Sequence, residues 1–364
     1  MALFINETTT SLADFLTKLD AFLTTAGAGN PGWTAEDVDG SGNSLDTSTG
    51  EWAISKTDSA SGEHCQVAFQ WDTATPGNLG IYQYHDASGP GSYNNSNSPW
   101  AQTNDSGNGA ASTSNATLAT SRHCPIGNTP IQYWCFTGDT YVYVVVEISP
   151  GEYRHFGFGV LEKFNDWDGG SFAYGWRYQN SASTFAGHAL ENRSTHLLDG
   201  RAFESGGVTM QDYVATVRCE NLPNQPANGM WAINSGAQPG NDYGQDRQAV
   251  PVDRVSFGGG YRQSPEAGIA GLMVGTITSG NVQTYPIVSY YVDYNDAVGD
   301  DPIYAMGVMP ECRGFHLKFF EAEQEVSIGG DTWQVFPSKT RADGSAGDVQ
   351  FTTGHQGIAY KQNT

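Results

Sequence analysis

Hydrophobic positions in this chain alternate with polar ones far more often than they recur at helical spacing. One segment is the exception. Between Ser11 and Leu23, residues Leu12, Phe15, Leu16, Leu19, Phe22 and Leu23 fall on one stripe of a helix. Ser11 is placed to cap the amide three residues on, and Asp14 sets a negative charge in the first turn, where the helix dipole favours it. Gly27 and Gly29 are the expected stop. The pattern predicts one amphipathic N-terminal helix, lying over a sheet of its own domain or docking on a neighbouring subunit.

Strand signals fill the rest. Glu51–Lys56, Cys65–Trp71 and Leu79–Tyr84 read as short strands. From Asp86 to Ser121 the chain is Ser-, Asn-, Gly- and Thr-rich, which predicts a long surface loop pinned by Tyr93 and Trp100. Thr140–Ile148 (TYVYVVVEI) is almost wholly β-branched or aromatic, and Tyr153–Leu161 follows after the turn Ser149–Glu152. These two arms predict a hairpin whose first arm is buried on both faces. Lys163–Tyr178 is an aromatic excursion in which Gly169-Gly170 is expected to turn sharply. Asp212–Cys219 reads as a strand or a helical turn, and the Pro-containing run Asn221–Gly240 reads as a boundary loop. Tyr285–Tyr294, Ile303–Met309, Gly314–Ala322 and Gly357–Tyr360 read as strands, with Glu325–Phe336 a hairpin turning at Gly329-Gly330. The expected fold is therefore mainly β: antiparallel, sandwich-like sheets, one N-terminal amphipathic helix and long polar loops. The expected regions are 1–120, 121–228 and 229–364.

Composition sharpens this picture. Of 364 residues, 45 are glycine, and only 15% are charged, which suits tight turns between strands rather than long helices. The formal net charge is −22, a surface that repels nucleic-acid phosphates and anionic lipid and holds crowded copies apart. No sequence-specific nucleic-acid contact is expected. Five cysteines at irregular spacing, without a C-x-x-C, fit reduced thiols better than a disulfide framework. No apolar run approaches the roughly 20 residues of a membrane span. The opening Met1–Glu7 lacks the basic and apolar regions of a secretory signal, so folding in a cytoplasm is expected.

Candidate chemistry is sparse. Asp37-Val38-Asp39-Gly40-Ser41-Gly42 matches the start of a calcium loop, with oxygen ligands from Asp37, Asp39 and Ser41. Ser48 stands where such a loop needs its closing glutamate, and an ordinary Asp-Gly turn accounts for the same residues. Calcium is the one cofactor these residues suggest. Asp293, Asp296, Asp300 and Asp301, and separately Asp166 and Asp168, are acidic groups that a hard cation could bridge or that simply face solvent. His64-Cys65 and His123-Cys124 repeat a metal-binding pair of residue types, but neighbours on a strand point to opposite faces. No nucleophile elbow or phosphate-binding loop occurs. Glu147, Glu152 and Glu162 could serve a glycosidase, although nothing selects a pair among them. Trp100, Trp167, Tyr174 and Trp176 are the candidate binding residues, at an interface or on a ligand face.

Two segments carry a resemblance. One is GEYRHFGFGVLEKFNDWDGGSFAYGWRY, residues 151–178. The other runs from CRGFHLKFF at Cys312 through IGGDTWQVFPSKTR to GIAYK, ending at Lys361. Both resemble virion structural proteins of tailed bacteriophages, of the tail, neck and baseplate type. The resemblance spans about half the chain and brings no catalytic residues. It implies a non-enzymatic structural subunit, assembled in the host bacterial cytoplasm into the virion, whose partners are other virion proteins and copies of itself. Ring or threefold symmetry is expected of such a part, with the N-terminal helix and the Asp86–Ser121 loop as candidate subunit contacts. The alternatives are a receptor- or glycan-binding fibre or capsid decoration, recognisable by exposed tryptophans in a groove, and a carbohydrate-active hydrolase.

Overall fold

The computed structural model describes residues 3–25, 31–38, 40–74, 77–84, 122–175, 177–178, 202–205, 208–211, 215–220, 230–234, 248–251, 284–292, 303–316, 320–337 and 356–363. Among these the molecule is mainly β, with three antiparallel sheets and a single helix near the N-terminus, as the sequence pattern predicts. A two-stranded ribbon, Ala202–Ser205 with Val208–Gln211, forms a separate ladder.

The central sheet runs in the order Phe4–Thr8, Gln132–Thr137, Tyr141–Ser149, Glu152–Val160, Asp168–Tyr174, Ala215–Glu220, Met230–Asn234. Its middle is the expected hairpin. Pro150 and Gly151 make the turn, with Gly151 at φ +76°, and Glu152 faces Ser149. Alternation then sends successive side chains to opposite faces. Val142, Val144, Val146, Phe156 and Phe158 enter one core, while Tyr141, Tyr143, Val145 and Tyr153 enter another. The apolar run is thus buried on both sides, and the sheet is the middle layer of three.

The first sheet lies over one face of the central sheet. It contains Arg177–Tyr178, Arg122–Pro125, Asn78–Tyr84, His64–Gln70, Glu51–Thr57 and Thr34–Ala35, with Leu45–Asp46 also paired to Glu51–Thr57. Trp52, Ile54, Cys65, Val67 and Phe69 meet Phe156 and Phe158, and Trp52 stacks on Phe69 at 4.4 Å between ring centroids. Helix Leu12–Thr24 closes this core. Ser11 Oγ accepts from the Asp14 amide at 3.1 Å, and Leu12, Phe15, Leu16, Leu19 and Leu23 are buried. The helix spends its apolar face inside the molecule, as cover for a sheet of its own chain. Thr25 turns extended and ends it, before Gly27 and Gly29, which lie outside the described residues. The loop Asp86–Ser121 lies outside them as well.

The third sheet covers the opposite face. Its order is Gln248–Pro251, Thr284–Val292, Ile303–His316, Gln356–Lys361, Asp331–Pro337, Glu325–Ile328, and Glu162–Lys163 also pairs with Ile303–His316. Gly329 and Gly330, at φ +64° and +93°, form the expected two-residue hairpin turn, where only residues tolerating positive φ fit. The segments 1–120, 121–228 and 229–364 each supply most of one sheet and each lend strands to, or borrow them from, a neighbour.

Several elements differ from expectation for local reasons. Ile303–His316 is one strand rather than two, because a bulge absorbs the irregular stretch: Pro286 pairs with Arg313 and Val288 with Val308, so Met309–Cys312 stand opposite Ile287 alone. Gly169-Gly170 does not turn sharply but forms a bulge inside Asp168–Tyr174, at φ +105° and +119°. Phe4–Thr8, Gln132–Thr137 and Met230–Asn234 are strands that the sequence pattern does not announce.

Candidate functional site

The densest polar chemistry among the described residues is the seam between the central and third sheets. It starts from two glycines. In the run His155-Phe156-Gly157-Phe158-Gly159, the odd positions face the third sheet. A Cβ on Gly157 would stand 2.5 Å from Tyr174 Cε1 and 2.8 Å from Tyr143 Cδ1. The missing side chain is the slot in which those rings lie. Tyr143 and Tyr360 sit 5.3 Å apart by ring centroid, and Phe136 stacks on Tyr360 at 5.1 Å.

Nearly every polar ring atom facing this seam bonds across it. The Tyr143 hydroxyl donates to the Pro310 carbonyl at 2.8 Å, and Trp167 Nε1 donates to the Met306 carbonyl at 3.1 Å. The Tyr153 hydroxyl donates to Glu323 Oε1 at 2.5 Å, and the Tyr141 hydroxyl donates to Glu311 Oε2. Asn363 Nδ2 and Lys361 Nζ also reach the Glu311 carboxylate, the latter at 3.1 Å. Burial pushes the Glu311 carboxyl up, but these hydrogen bonds together with the Lys361 charge outweigh it and hold the group below its ordinary value. Trp134 Nε1 is buried with no hydrogen-bond partner among the described residues.

At the centre lies His155, fully buried. Its Nε2 is 3.0 Å from the Pro337 carbonyl, its Nδ1 is 3.0 Å from the Tyr360 hydroxyl, and that hydroxyl is 3.3 Å from the Tyr174 hydroxyl. A carbonyl only accepts, so Nε2 carries the hydrogen and Nδ1 is the acceptor. Tyr360 therefore donates to Nδ1, and Tyr174 donates to Tyr360. Burial lowers the imidazole to about 3, with the Arg154 charge acting in the same direction and the Pro337 carbonyl opposing. Burial likewise pushes Tyr143, Tyr174 and Tyr360 far up. The seam is a neutral, directed hydrogen-bond chain in an aromatic core.

The residues singled out from sequence fall as follows. Trp167 and Tyr174 meet in this seam core, Trp167 9% exposed and Tyr174 fully buried. Lys163 Nζ lies 5.4 Å over the Trp167 ring and donates to its carbonyl at 2.8 Å. Their faces are committed to packing rather than to a surface groove. Trp100 and Trp176 lie outside the described residues. In the Asp37–Gly42 loop, the Val38 amide donates to the Asn43 carbonyl at 3.0 Å and the Ser41 hydroxyl accepts from Asn43 Nδ2 at 2.6 Å. This is the bonding of a closed turn; Asp39 lies outside the described residues. Among the described residues, no three His, Cys, Asp or Glu side chains converge as a metal site.

His64 and Cys65 diverge as expected, Cys65 into the first core and His64 Nδ1 to Thr57 Oγ1 at 2.8 Å. Glu147 and Glu152 dress the hairpin turn: Glu147 accepts from the Gly151 amide at 2.9 Å, and Glu152 pairs with Arg154 and Ser149. The four acidic residues at 293–301 lie outside the described residues. Among the described residues, no helix is long and apolar enough to cross a membrane.

Sequence reasoning missed His155. Its partners Pro337 and Tyr360 stand 182 and 205 residues away. The available signal was a histidine sharing strand parity with two glycines in an otherwise aromatic and β-branched hairpin. In comparisons with known proteins, no family model and no curated protein matches this chain.

Proposed function

We propose that the chain is a non-enzymatic structural subunit of a tailed-bacteriophage virion, of the tail, baseplate or neck, assembled in the host bacterial cytoplasm. The observation that carries this reading is where the two resembling segments meet. Residues 151–178 supply Glu152–Val160 and Asp168–Tyr174, and residues 312–361 supply Asp331–Pro337 and Gln356–Lys361. These strands face each other across the seam, so the resemblance falls on one contiguous structural unit rather than on scattered motifs.

The chemistry of that unit supports a scaffold. Its carboxylates, hydroxyls and imidazole bond to one another and to backbone carbonyls across two sheets, an arrangement that fixes orientation. A net charge of −22 keeps unassembled copies apart at high concentration. The partners in this reading are other virion proteins and copies of the same chain, with no sequence-specific contact to nucleic acid.

Peptide mass spectrometry of purified, nuclease-treated particles from cells producing this chain tests the proposal. The chain is expected in the particles at a fixed multiple per virion. Its recovery only in the soluble lysate would contradict a virion role.

A further inference from the structure

We propose that the open edge of the central sheet, the strand Phe4–Thr8, is a two-fold pairing surface for a second copy of this chain. This goes beyond the structural role proposed above and does not depend on it.

The ladder fixes which backbone groups are open. Phe4–Thr8 pairs with Gln132–Thr137 on one side and ends the sheet on the other. The Thr137 amide donates to the Leu3 carbonyl at 2.8 Å, and the Thr9 amide donates to the Ile131 carbonyl at 3.0 Å. Bonded pairs alternate along an antiparallel ladder, so Ile5 and Glu7 bond inwards as well. The amides and carbonyls of Phe4, Asn6 and Thr8 therefore point away from the sheet. Among the described residues one bond reaches them, from Lys18 Nζ to the Thr8 carbonyl at 2.8 Å. Beyond Phe4 the edge is closed by Asn363, whose carbonyl accepts from the Leu3 amide at 2.9 Å and whose Nδ2 donates to the Thr137 carbonyl at 3.0 Å. Between these two guards the strand faces water: Asn6, Glu7 and Thr8 are exposed.

The open groups are symmetric about Asn6. An antiparallel copy with its Asn6 opposite this Asn6 sets Phe4 opposite Thr8 at both ends. Residues at bonded positions exchange both amide–carbonyl bonds, so each outward amide meets an outward carbonyl. The Thr8 carbonyl has a second lone pair and keeps its bond from Lys18.

The side chains agree with this register. Phe4 packs on the seam core and Ile5 on the first core, so Ile5 and Glu7 share one face and Phe4, Asn6 and Thr8 the other. Pairing about Asn6 sets Ile5 opposite Glu7, and no two charges of one sign stand directly opposite. An axis at Glu7 would set two carboxylates against each other, which destabilises a strand pair. A second copy is the occupant because its edge carries the complementary pattern of groups at the same spacing. The contact is isologous and runs the two central sheets into one, so an assembly that uses this edge holds an even number of chains. The formal net charge of −22 on each copy opposes approach, and salt screens that repulsion.

Light scattering at high salt over a wide range of concentration, on wild type and Asn6→Pro, tests this. The Asn6 amide faces outwards, so proline removes no bond of the sheet but blocks the pairing. The wild type is expected to reach an even number of copies, and Asn6→Pro half that mass at the same concentration with its far-ultraviolet dichroism unchanged. A strict monomer, an odd-numbered assembly, or an even one whose mass Asn6→Pro leaves unchanged overturns the proposal. The last two outcomes leave the virion reading standing, and particle mass spectrometry tests that reading separately. If Asn6→Pro does not fold, hydrogen exchange of the wild-type Asn6 amide decides. Protection that grows with concentration supports the pairing. Exchange as fast as in an open strand where the protein is multimeric overturns it, and so does protection in a monomer, where the chain would be covering its own edge.

Discussion

The hydroxyl of Tyr141 on the central sheet donates to the carboxylate of Glu311 on the third, and Glu311 holds a left-handed backbone at φ +49°. Tyr153 and Glu323 repeat the relationship, with Glu323 at φ +66°. These glutamates are the only non-glycine residues with positive φ among the described residues. A β-carbon in that region costs of order 1 kcal/mol or more, and the cost persists only where surrounding contacts over-determine the backbone. Here those contacts are two tyrosine–carboxylate bonds on successive strands of the hairpin.

Glu311 can therefore be dissected by two substitutions. Glu311→Ala keeps the strained φ and removes the acceptor of Tyr141, with an expected loss of about 1–3 kcal/mol in thermal or denaturant unfolding. Glu311→Gly removes the same bond but relieves the backbone, and should recover about 1 kcal/mol of that loss. The pH dependence has a defined sign. The Glu311 pKa is held below its ordinary value, so its contribution is present above the carboxylate range of the unfolded chain and is lost as pH falls through the folded value. Stability curves of wild type and Glu311→Ala should converge in acid.

Gly157 tests the slot. Gly157→Ala would drive a methyl group into Tyr174 and Tyr143 and to 2.8 Å from the Val142 carbonyl. The expected cost is about 1–3 kcal/mol, with loss of near-ultraviolet tyrosine dichroism as the rings are displaced. Gly151→Ala in the hairpin turn meets no atom within 4 Å but sits at φ +76°, so it should cost only the backbone strain, about 1 kcal/mol.

Asp20 ties the helix to the first sheet. Its Oδ1 accepts from Trp52 Nε1 at 2.9 Å and from Ser44 Oγ at 2.5 Å. Asp20→Ala strands a buried indole N–H, at an expected cost of about 1–3 kcal/mol, whereas Asp20→Asn keeps an acceptor and should lose less. Equilibrium unfolding followed by tryptophan fluorescence separates the two.

Cys65, Cys124, Cys135 and Cys312 are buried. Burial raises the Cys65, Cys135 and Cys312 thiols well above the ordinary thiol value, which suppresses the thiolate that reacts. Iodoacetamide should leave all four unmodified in the native protein at pH 8 and label them after unfolding, read by peptide mass.

Local structure was legible where a short stretch contains its own cause. The helix followed from a capping serine and a stripe of leucines, the central hairpin from an unbroken β-branched run, and the last hairpin from two adjacent glycines. The burial of Tyr141–Val146 on both faces was readable from the same run. Gln132–Thr137 (QYWCFT) was less legible, because its largely aromatic run does not alternate cleanly with polar positions even though Gly127-Asn128 and Gly138-Asp139 flank it; it is a strand through its pairing with Phe4–Thr8 and Tyr141–Ser149. The seam was opaque for a related reason. His155, Pro337 and Tyr360 become neighbours only when two hairpins from distant parts of the chain are laid face to face. Trp167 and Tyr174 stood out as aromatic residues, yet sequence cannot separate a ring that fills a core from one that meets a partner.

The most direct test of the structural-subunit account is the mass of the purified chain in solution, by light scattering over a range of concentrations, with and without EDTA. The account predicts a discrete ring-sized or trimeric mass that survives chelation. A strict monomer of 39.1 kDa at every concentration would contradict self-assembly, and a multimer that dissolves on chelation would contradict an assembly held by protein surfaces alone.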